Sequence, residues 1–519
     1  MMNVDDLKEA DVEETESDTV PVLKTESKGH VTVPLVFSTA AAVCGSFQFG
    51  YNTGVINSPQ MVIEDFINDT SMKRTGEPMP QDKIQFLWSV IVAIFAIGGM
   101  IGSLCAGAVA NAMGRRGGML FSDLFSIIGG LLMLLSKTAS SYEMIIVGRL
   151  IIGFYCGLST GLVPMYLSEV APTNLRGALG VCHQLFVTIG ILVAQVLGLS
   201  EILGNSTYWP LLLGLTMVPA VYQLLTFPFC PESPRYLLLN KQRDKECEKA
   251  LVKLRGIADV SDDIDEMKFE SEKEKGEEKI GIIELFRRRS LRRPLTISII
   301  LQLSQQLSGI NVVLYYSTLV FVSAGVSEVN SRYATVGTGA ALVLVTLISV
   351  PLMDKAGRRT LHLCGLGVMF LAGVVLTISL LLTQYDVWKG AAFISILSVI
   401  VFVTAFGIGP GSIPWLIVAE LFSQGPRPAA ISVAFLVNWT ANFLVGITFP
   451  SLLSAMKAYV FLPYVALLAI FWLYTFKFVP ETKNKSFEEI AAIFRQESLK
   501  SYYGSTGRDS QTANTAFDN

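Results

Sequence analysis

Long apolar runs separated by short polar stretches occupy most of the chain. Runs of about 20 residues are what a helix needs to cross roughly 30 Å of hydrocarbon. Twelve such runs lie near 33–55, 86–110, 118–136, 143–165, 178–200, 209–229, 294–323, 334–353, 361–383, 391–418, 429–450 and 459–479. The pattern predicts an all-α integral membrane protein with six helices on each side of a polar segment.

Short polar phrases at the ends of these runs recur in the second half of the chain. Gly114-Arg115-Arg116 returns as Gly357-Arg358-Arg359, Glu169 with Arg176 as Glu420 with Arg427, and Pro231-Glu232-Ser233 as Pro480-Glu481-Thr482. A duplicated membrane bundle is how many secondary transporters are built. Five regions follow: an acidic tail 1–30, a first bundle 31–230, linker helices 231–293, a second bundle 294–480 and a tail 481–519. Alternating charges in the linker suit short solvated helices with i,i+4 pairs. The last 20 residues read as disordered from their composition.

Composition agrees with the pattern. Of 519 residues, 51% are hydrophobic and 16% charged, and the mean hydropathy is +0.50. Such a chain takes the bilayer as its solvent. Lys and Arg mark the cytoplasmic side, and Arg115, Arg116, Arg176, Lys355, Arg358, Arg359 and Arg427 all fall on one side with the linker. An even number of spans places both termini there, and no secretory signal pattern precedes the first span. The net charge of −3 gives no reason to expect a nucleic-acid partner. Seven cysteines fall in spans or on the cytoplasmic side, and three scattered histidines offer no metal spacing.

The first exterior loop, about 56–84, carries Asn68-Asp69-Thr70, so Asn68 is the expected glycosylation site. Three other matches are poorer candidates: Asn205 hugs the membrane, Asn438 lies inside a span, and Asn484 is on the cytoplasmic side.

No phosphate-binding loop and no catalytic Ser, His and Asp set is present, so no cofactor, nucleotide or enzymatic activity is expected. Amides within the spans are the informative polar groups, because they are costly in hydrocarbon unless paired or facing a wet cavity. The seventh span reads LQLSQQLSGINVVLYYS over 301–317 and supplies Gln302, Gln305, Gln306 and Asn311. Ser308, Gly309 and Asn311 allow the helix to loosen there. Uncharged amides both donate and accept, as a neutral polyol requires. They can also hold helices together, at about 0.6 kcal/mol each. Gln184 and Gln195 in the fifth span, the broken stretch GIGPGSIPWL at 407–416 with Trp415, and Asn438 and Asn442 in the eleventh complete the set. Trp415 can stack on a sugar ring or fill a gap between helices.

The chain resembles the sugar porters of the major facilitator superfamily, and within them the facilitative glucose transporters of animals. The resemblance spans about residues 30–495. It rests on GYNTGVINSP at 50–59, the two GRR loops, PESPR at 231–235, QQLSGIN at 305–311, IPW at 413–415, GPRPAA at 425–430 and PETK at 480–483. It implies the major facilitator fold, a plasma-membrane location, and D-glucose or a related neutral hexose as substrate. It also implies Gln184, Gln305, Gln306, Asn311 and Trp415 as sugar contacts, with Asn438 beside them. The QLS triplet at 302–304 goes, in that family, with glucose over fructose. Two positions depart: Leu342 stands where the family usually has Asn, and Gly407 where it usually has Glu.

Glu169, Arg176, Glu420 and Arg427, with Arg115, Arg116, Arg358 and Arg359, are candidate gating charges that join and part as a two-state bundle alternates. Charges near Asn111 and Asp354 belong to the same loops. Proton-linked members of the family carry an acid where this chain has Asn52, beside Arg149. Facilitative uniport by alternating access is therefore the first reading. A proton-coupled symporter using Asp123 and a transport-deficient sugar sensor are the alternatives. Asp123 sits where the family commonly has Asn, and its place near the cytoplasmic boundary predicts that it snorkels to water.

Overall fold

The computed structural model describes residues 30–388, 390–483, 485, 489–490 and 494. The acidic tail up to residue 29, the last 20 residues and the Asn484 sequon lie outside the described residues, as does the side chain of Asp354. No strand occurs among the described residues. The first half comprises α1 (Val33–Gly54), α2 (Gln60–Thr75), α3 (Gln81–Leu135), α4 (Glu143–Val170), α5 (Arg176–Leu197), α6 (Trp209–Gly214) and α7 (Met217–Thr226). The linker holds α8 (Asp244–Arg255), α9 (Ser261–Lys275) and α10 (Ile282–Arg287). The second half comprises α11 (Arg289–Gln305), α12 (Asn311–Ser323), α13 (Glu328–Ala356) and α14 (Arg358–Gln384). It continues with α15 (Ala391–Ile408), α16 (Ile413–Leu421), α17 (Arg427–Met456) and α18 (Leu462–Phe478).

Ten of the described helical segments are long and apolar enough to cross a membrane. One of them, α3, is 55 residues long and turns at Gly114, whose φ of 83° and ψ of 176° leave helical space. The two predicted spans at 86–110 and 118–136 are its two arms. Residues 60–75, expected as exterior loop, fold instead into α2. The glycine cap Gly76, at φ 77°, ends that helix with an N–H bonded to the Met72 carbonyl.

The repeated phrases have a common structural job. At Gly114 the chain reverses and begins the second arm of α3, whose first N–H groups have no helical partner. Glu232 Oε1 accepts from the backbone N–H of Arg115 and of Arg116, both at 3.0 Å. In the second half Glu481 does the same, accepting from Arg358 at 2.8 Å and Arg359 at 3.1 Å, after Gly357 at φ 91°. A carboxylate at a helix N-terminus also meets the positive end of the helix dipole. Glycine is required because a Cβ at 114 would lie 2.4 Å from Glu232 Oε2, and one at 357 would lie 2.6 Å from Glu481 Oε2.

The halves meet closely at the end remote from the linker. Asn57 donates to the Leu314 carbonyl at 3.0 Å and to Ser317 Oγ at 2.7 Å, and accepts from the Thr318 N–H at 3.2 Å. Arg332 of α13 reaches Ser200 Oγ at 2.6 Å and the Gly204 carbonyl at 2.8 Å. At the linker end the first half of α5, Arg176 to Phe186, has no buried residue. There the bundles connect through the linker, where Arg176 lies 3.9 Å from Glu270 and Glu277 accepts from the Gly425 N–H at 2.8 Å. The halves thus contact each other directly at the end remote from the linker, while the linker end of α5 is left unburied.

Candidate functional site

Midway along the first span of the second half, the helix begun by α11 loosens into a single π turn over Gln306–Ile310 and resumes as α12. Gly309 takes φ 94°, a conformation open to glycine and costly for other residues. Opposite it, α15 stops at Ile408 and α16 starts at Ile413. Both interruptions fall where the sequence predicts them, and they face each other: Gln305 Nε2 donates to the Pro410 carbonyl at 2.9 Å and the Gly411 carbonyl at 2.7 Å. The amide satisfies carbonyls freed by the break.

Around this junction the predicted amides form one network with Asn438 of α17 at its hub. Asn438 Nδ2 donates to Gln302 Oε1 at 2.8 Å and to Gln305 Oε1 at 2.6 Å, while its Oδ1 accepts from Gln306 Nε2 at 3.0 Å. Asn311 donates to Gln306 Oε1. These five residues are buried, and Gln302 Nε2 has no partner. Tyr315 OH donates to Asn442 Oδ1 at 3.0 Å one layer further out. Both readings of the amides therefore hold at once: they join α11, α12, α15 and α17, and they present a cluster of uncharged donors and acceptors. Trp415 is half-buried, its ring 4.9 Å from that of Phe435 at 43°. Gln184 is half-buried on α5, on the first half.

Sequence reasoning passed over the next layer. His183, beside Gln184, shares a hydrogen bond of 2.7 Å with Ser46 of α1. Trp439, beside Asn438, packs its indole on Phe49 and Phe95 of the first half at 6.0 and 5.9 Å. The pairing of Asn52 with Arg149 is present: Arg149 donates to the Asn52 carbonyl at 2.8 Å, with its guanidinium 4.5 Å from the Phe95 ring. Asn52 Nδ2 is held by the Gln48 carbonyl at 2.8 Å and Thr216 Oγ1 at 2.7 Å.

Asp123 does not snorkel. It is 0% exposed, and neither carboxylate oxygen has a hydrogen-bond partner. Leu124, the next residue of α3, is exposed, whereas Asp123 lies on the buried side with Ser122 and Ser126.

The charge pairs seven residues apart do not pair with each other. Glu169 forms its ion pair with Arg115 at 2.8 Å and accepts from Ser233, whereas Arg176 leans to Glu270. Glu420 lies 3.3 Å from Arg358, and Arg427 caps the Phe422 carbonyl at 3.0 Å. Arg116 and Arg359 bind carbonyls, of Cys230 at 2.9 Å and of Phe476. Each pair spans a break between helices: Glu169 lies near the end of α4 and Arg176 opens α5, while Glu420 lies near the end of α16 and Arg427 opens α17. Each carboxylate turns instead to the Arg that the GRR loop brings beside it.

Asn68 sits half-buried on α2 with Oδ1 accepting from the Met79 N–H at 3.0 Å, and Thr70 is buried.

Two like helical halves, one of them holding a cluster of buried uncharged amides, define a membrane carrier of duplicated build. Residues 37–494 match the family model described as sugar (and other) transporter, and the chain belongs to that family. It is a multi-pass membrane protein of the major facilitator superfamily. It is 53% identical over 464 residues to the facilitated glucose transporter member 3 of solute carrier family 2 from Ovis aries, covering 89% of this chain and 93% of the relative. To member 1 from Gallus gallus it is 50% identical over 492 residues, covering 94% and 100%. A partially occluded, inward-open structure of the xylose transporter XylE from E. coli superposes with a TM-score of 0.73 at 24% identity, covering 88% and 100%.

Proposed function

We propose that this protein is a facilitative uniporter of D-glucose and related hexoses in the plasma membrane, working by alternating access. Its twelve spans are the ten long helices, with α3 counted as two, and α18; both termini and the linker are cytoplasmic. The observation that carries the reading is the network of Gln302, Gln305, Gln306, Asn311 and Asn438, which offers hydrogen bonds to hydroxyls without any group that gains or loses a proton. Gln184 and Trp415 complete the sugar site from either side. Asn52, held by Gln48 and Thr216, likewise has no proton to exchange. Arg115–Glu169 and Arg358–Glu420 act as gates at the cytoplasmic end, and Asn68 carries glycan.

Proton-linked symport is the second reading, favoured by one observation: Asp123 is a buried carboxyl without a partner. An intramembrane acid is a functional candidate by default. Uptake of labelled D-glucose by purified protein in proteoliposomes separates them. Saturable uptake indifferent to an imposed pH gradient is the expected result. Accumulation driven by the gradient would establish symport, and binding without uptake would identify a sensor.

A further inference from the structure

Five of the seven residues from 287 to 293 are arginine, in the stretch FRRRSLRRP at 286–294, and Ser290 stands among them. The stretch joins the last linker helix to the second bundle. Helix α10 ends at Arg287, Arg288 is extended at φ −70° and ψ 115°, and α11 opens at Arg289. Leu285, Pro294 and Leu295 are buried and fix its apolar side, whereas Arg287, Arg289, Ser290 and Arg292 are exposed.

Positive charge beside a span marks the cytoplasmic side, which accounts for an excess of arginine here but not for the serine within it. The arginines of the two GRR loops are engaged: Arg115 and Arg358 with Glu169 and Glu420, Arg116 and Arg359 with carbonyls. Thr360 also follows two arginines, but both of them are tied into the bundle in this way. Near Ser290 the commitment is partial. Arg288 donates to Glu284 at 2.9 Å and to Glu278 at 2.6 Å, and Arg292 to the Phe286 carbonyl at 3.0 Å. Arg287, Arg289 and Ser290 have no side-chain partner among the described residues.

The backbone around Ser290 is also easily freed. It is the second residue of α11, so its N–H has no acceptor within the helix, and Arg288 at the N-cap supplies no side-chain bond. Its carbonyl would bond to residue 294 in a regular helix, but that residue is proline and has no N–H. An enzyme that takes up a serine in extended form has little helix to undo here.

We infer that Ser290 is a phosphorylation site for a serine protein kinase that reads arginine two and three residues before its acceptor, here Arg288 and Arg287. This goes beyond the transport reading and rests on it only for the cytoplasmic placement of the linker. Ser290 Oγ attacks the γ-phosphorus of ATP. The Oγ–P bond forms as the bond from that phosphorus to the β,γ-bridging oxygen breaks, ADP leaves with the electron pair, and the hydroxyl proton passes to the kinase's catalytic aspartate. The product places a charge of about −1.5 to −2 among the arginines. Arg293, three residues on, shares its helical face, and charge-assisted bonds from such side chains hold a phosphate well.

The test incubates the purified full-length protein with Mg-ATP and the catalytic subunit of cAMP-dependent protein kinase, and locates phosphate by mass spectrometry. Wild type, Ser290→Ala and Arg287→Gln are compared, both substitutions falling on exposed side chains outside the proposed sugar site. Phosphate at Ser290 is expected in wild type and is lost in Ser290→Ala. Labelling of Arg287→Gln should be about tenfold slower, one hydrogen bond to a charged group being worth that much. The inference is overturned if wild type takes up no phosphate, if the phosphate maps elsewhere and survives Ser290→Ala, or if Arg287→Gln is labelled at the wild-type rate. Sealed membrane vesicles of each orientation, with kinase and Mg-ATP added outside, should be labelled only when inside-out. Labelling of right-side-out vesicles instead would refute the cytoplasmic placement of the linker, a result distinct from a failure of Ser290 to accept phosphate.

Discussion

The indole of Trp439 rests on the bare backbone of Gly99, so closely that a Cβ at position 99 would lie 2.5 Å from the ring. The contact joins α17 to α3, hence one half to the other, beside the amide hub at Asn438. Gly99→Ala overpacks it, at a cost of about 1–3 kcal/mol. We expect the variant to show a lowered denaturation midpoint and slower D-glucose exchange, with Trp439→Phe in the same chain restoring part of both. Exchange and thermal stability measured on the single and double variants check this.

Gly309 holds φ 94° with Tyr464 Cγ 3.2 Å from where its Cβ would be. Gly309→Ala strains the backbone by about 1–2 kcal/mol and pushes on Tyr464. Because the π turn aligns Gln306 and Asn311, D-glucose affinity should fall with stability, whereas Gly337→Ala, with open space around it, should change neither. Ligand-induced shifts of the denaturation midpoint read both quantities.

Asp123→Asn should stabilise the protein. A buried carboxyl without a partner must either desolvate its charge or take up a proton to stay neutral, and an amide in the same place does neither. A higher denaturation midpoint with transport retained is the expected result; a loss of transport, with the midpoint raised, would tie Asp123 to the cycle.

The two ion pairs proposed as gates should differ. Arg115 and Glu169 side chains are 9% and 10% exposed, whereas Arg358 and Glu420 are 18% and 29% exposed. Removing one partner of a buried pair leaves an unpaired charge, and the penalty grows with burial. Glu169→Gln should therefore be the more destabilising, at about 3 kcal/mol, and Glu420→Gln the milder. Thermal unfolding of the two variants measures the order, and accessibility of engineered cysteines on either side reports any shift between inward- and outward-facing states.

In the linker, burial pushes the Cys247 thiol up to about 11, with Asp244 adding to the effect. Only the thiolate reacts, so alkylation of Cys247 should stay slow through neutral pH and rise only as the pH nears that value. Mass-spectrometric labelling as a function of pH tests this, and early labelling at neutral pH would mean that α8 opens from its packing.

Sequence by itself determined the parts of this protein that depend on local chemistry. Apolar run length set the spans, because a bilayer admits little else. The two GRR loops announced their reversals, since only glycine suits the positive φ at 114 and 357. Ser308-Gly309 and Gly409-Pro410-Gly411 marked the two helix breaks. Tertiary structure decided whatever required a partner from far along the chain. It settled that Asn438 is the hub for three glutamines more than a hundred residues away, that Glu169 turns to Arg115 and not to Arg176, and that Asp123 is buried. It also set Leu342 against Gly407, a pairing invisible in sequence because helix spacing fixes which face a residue occupies but not which helix that face meets.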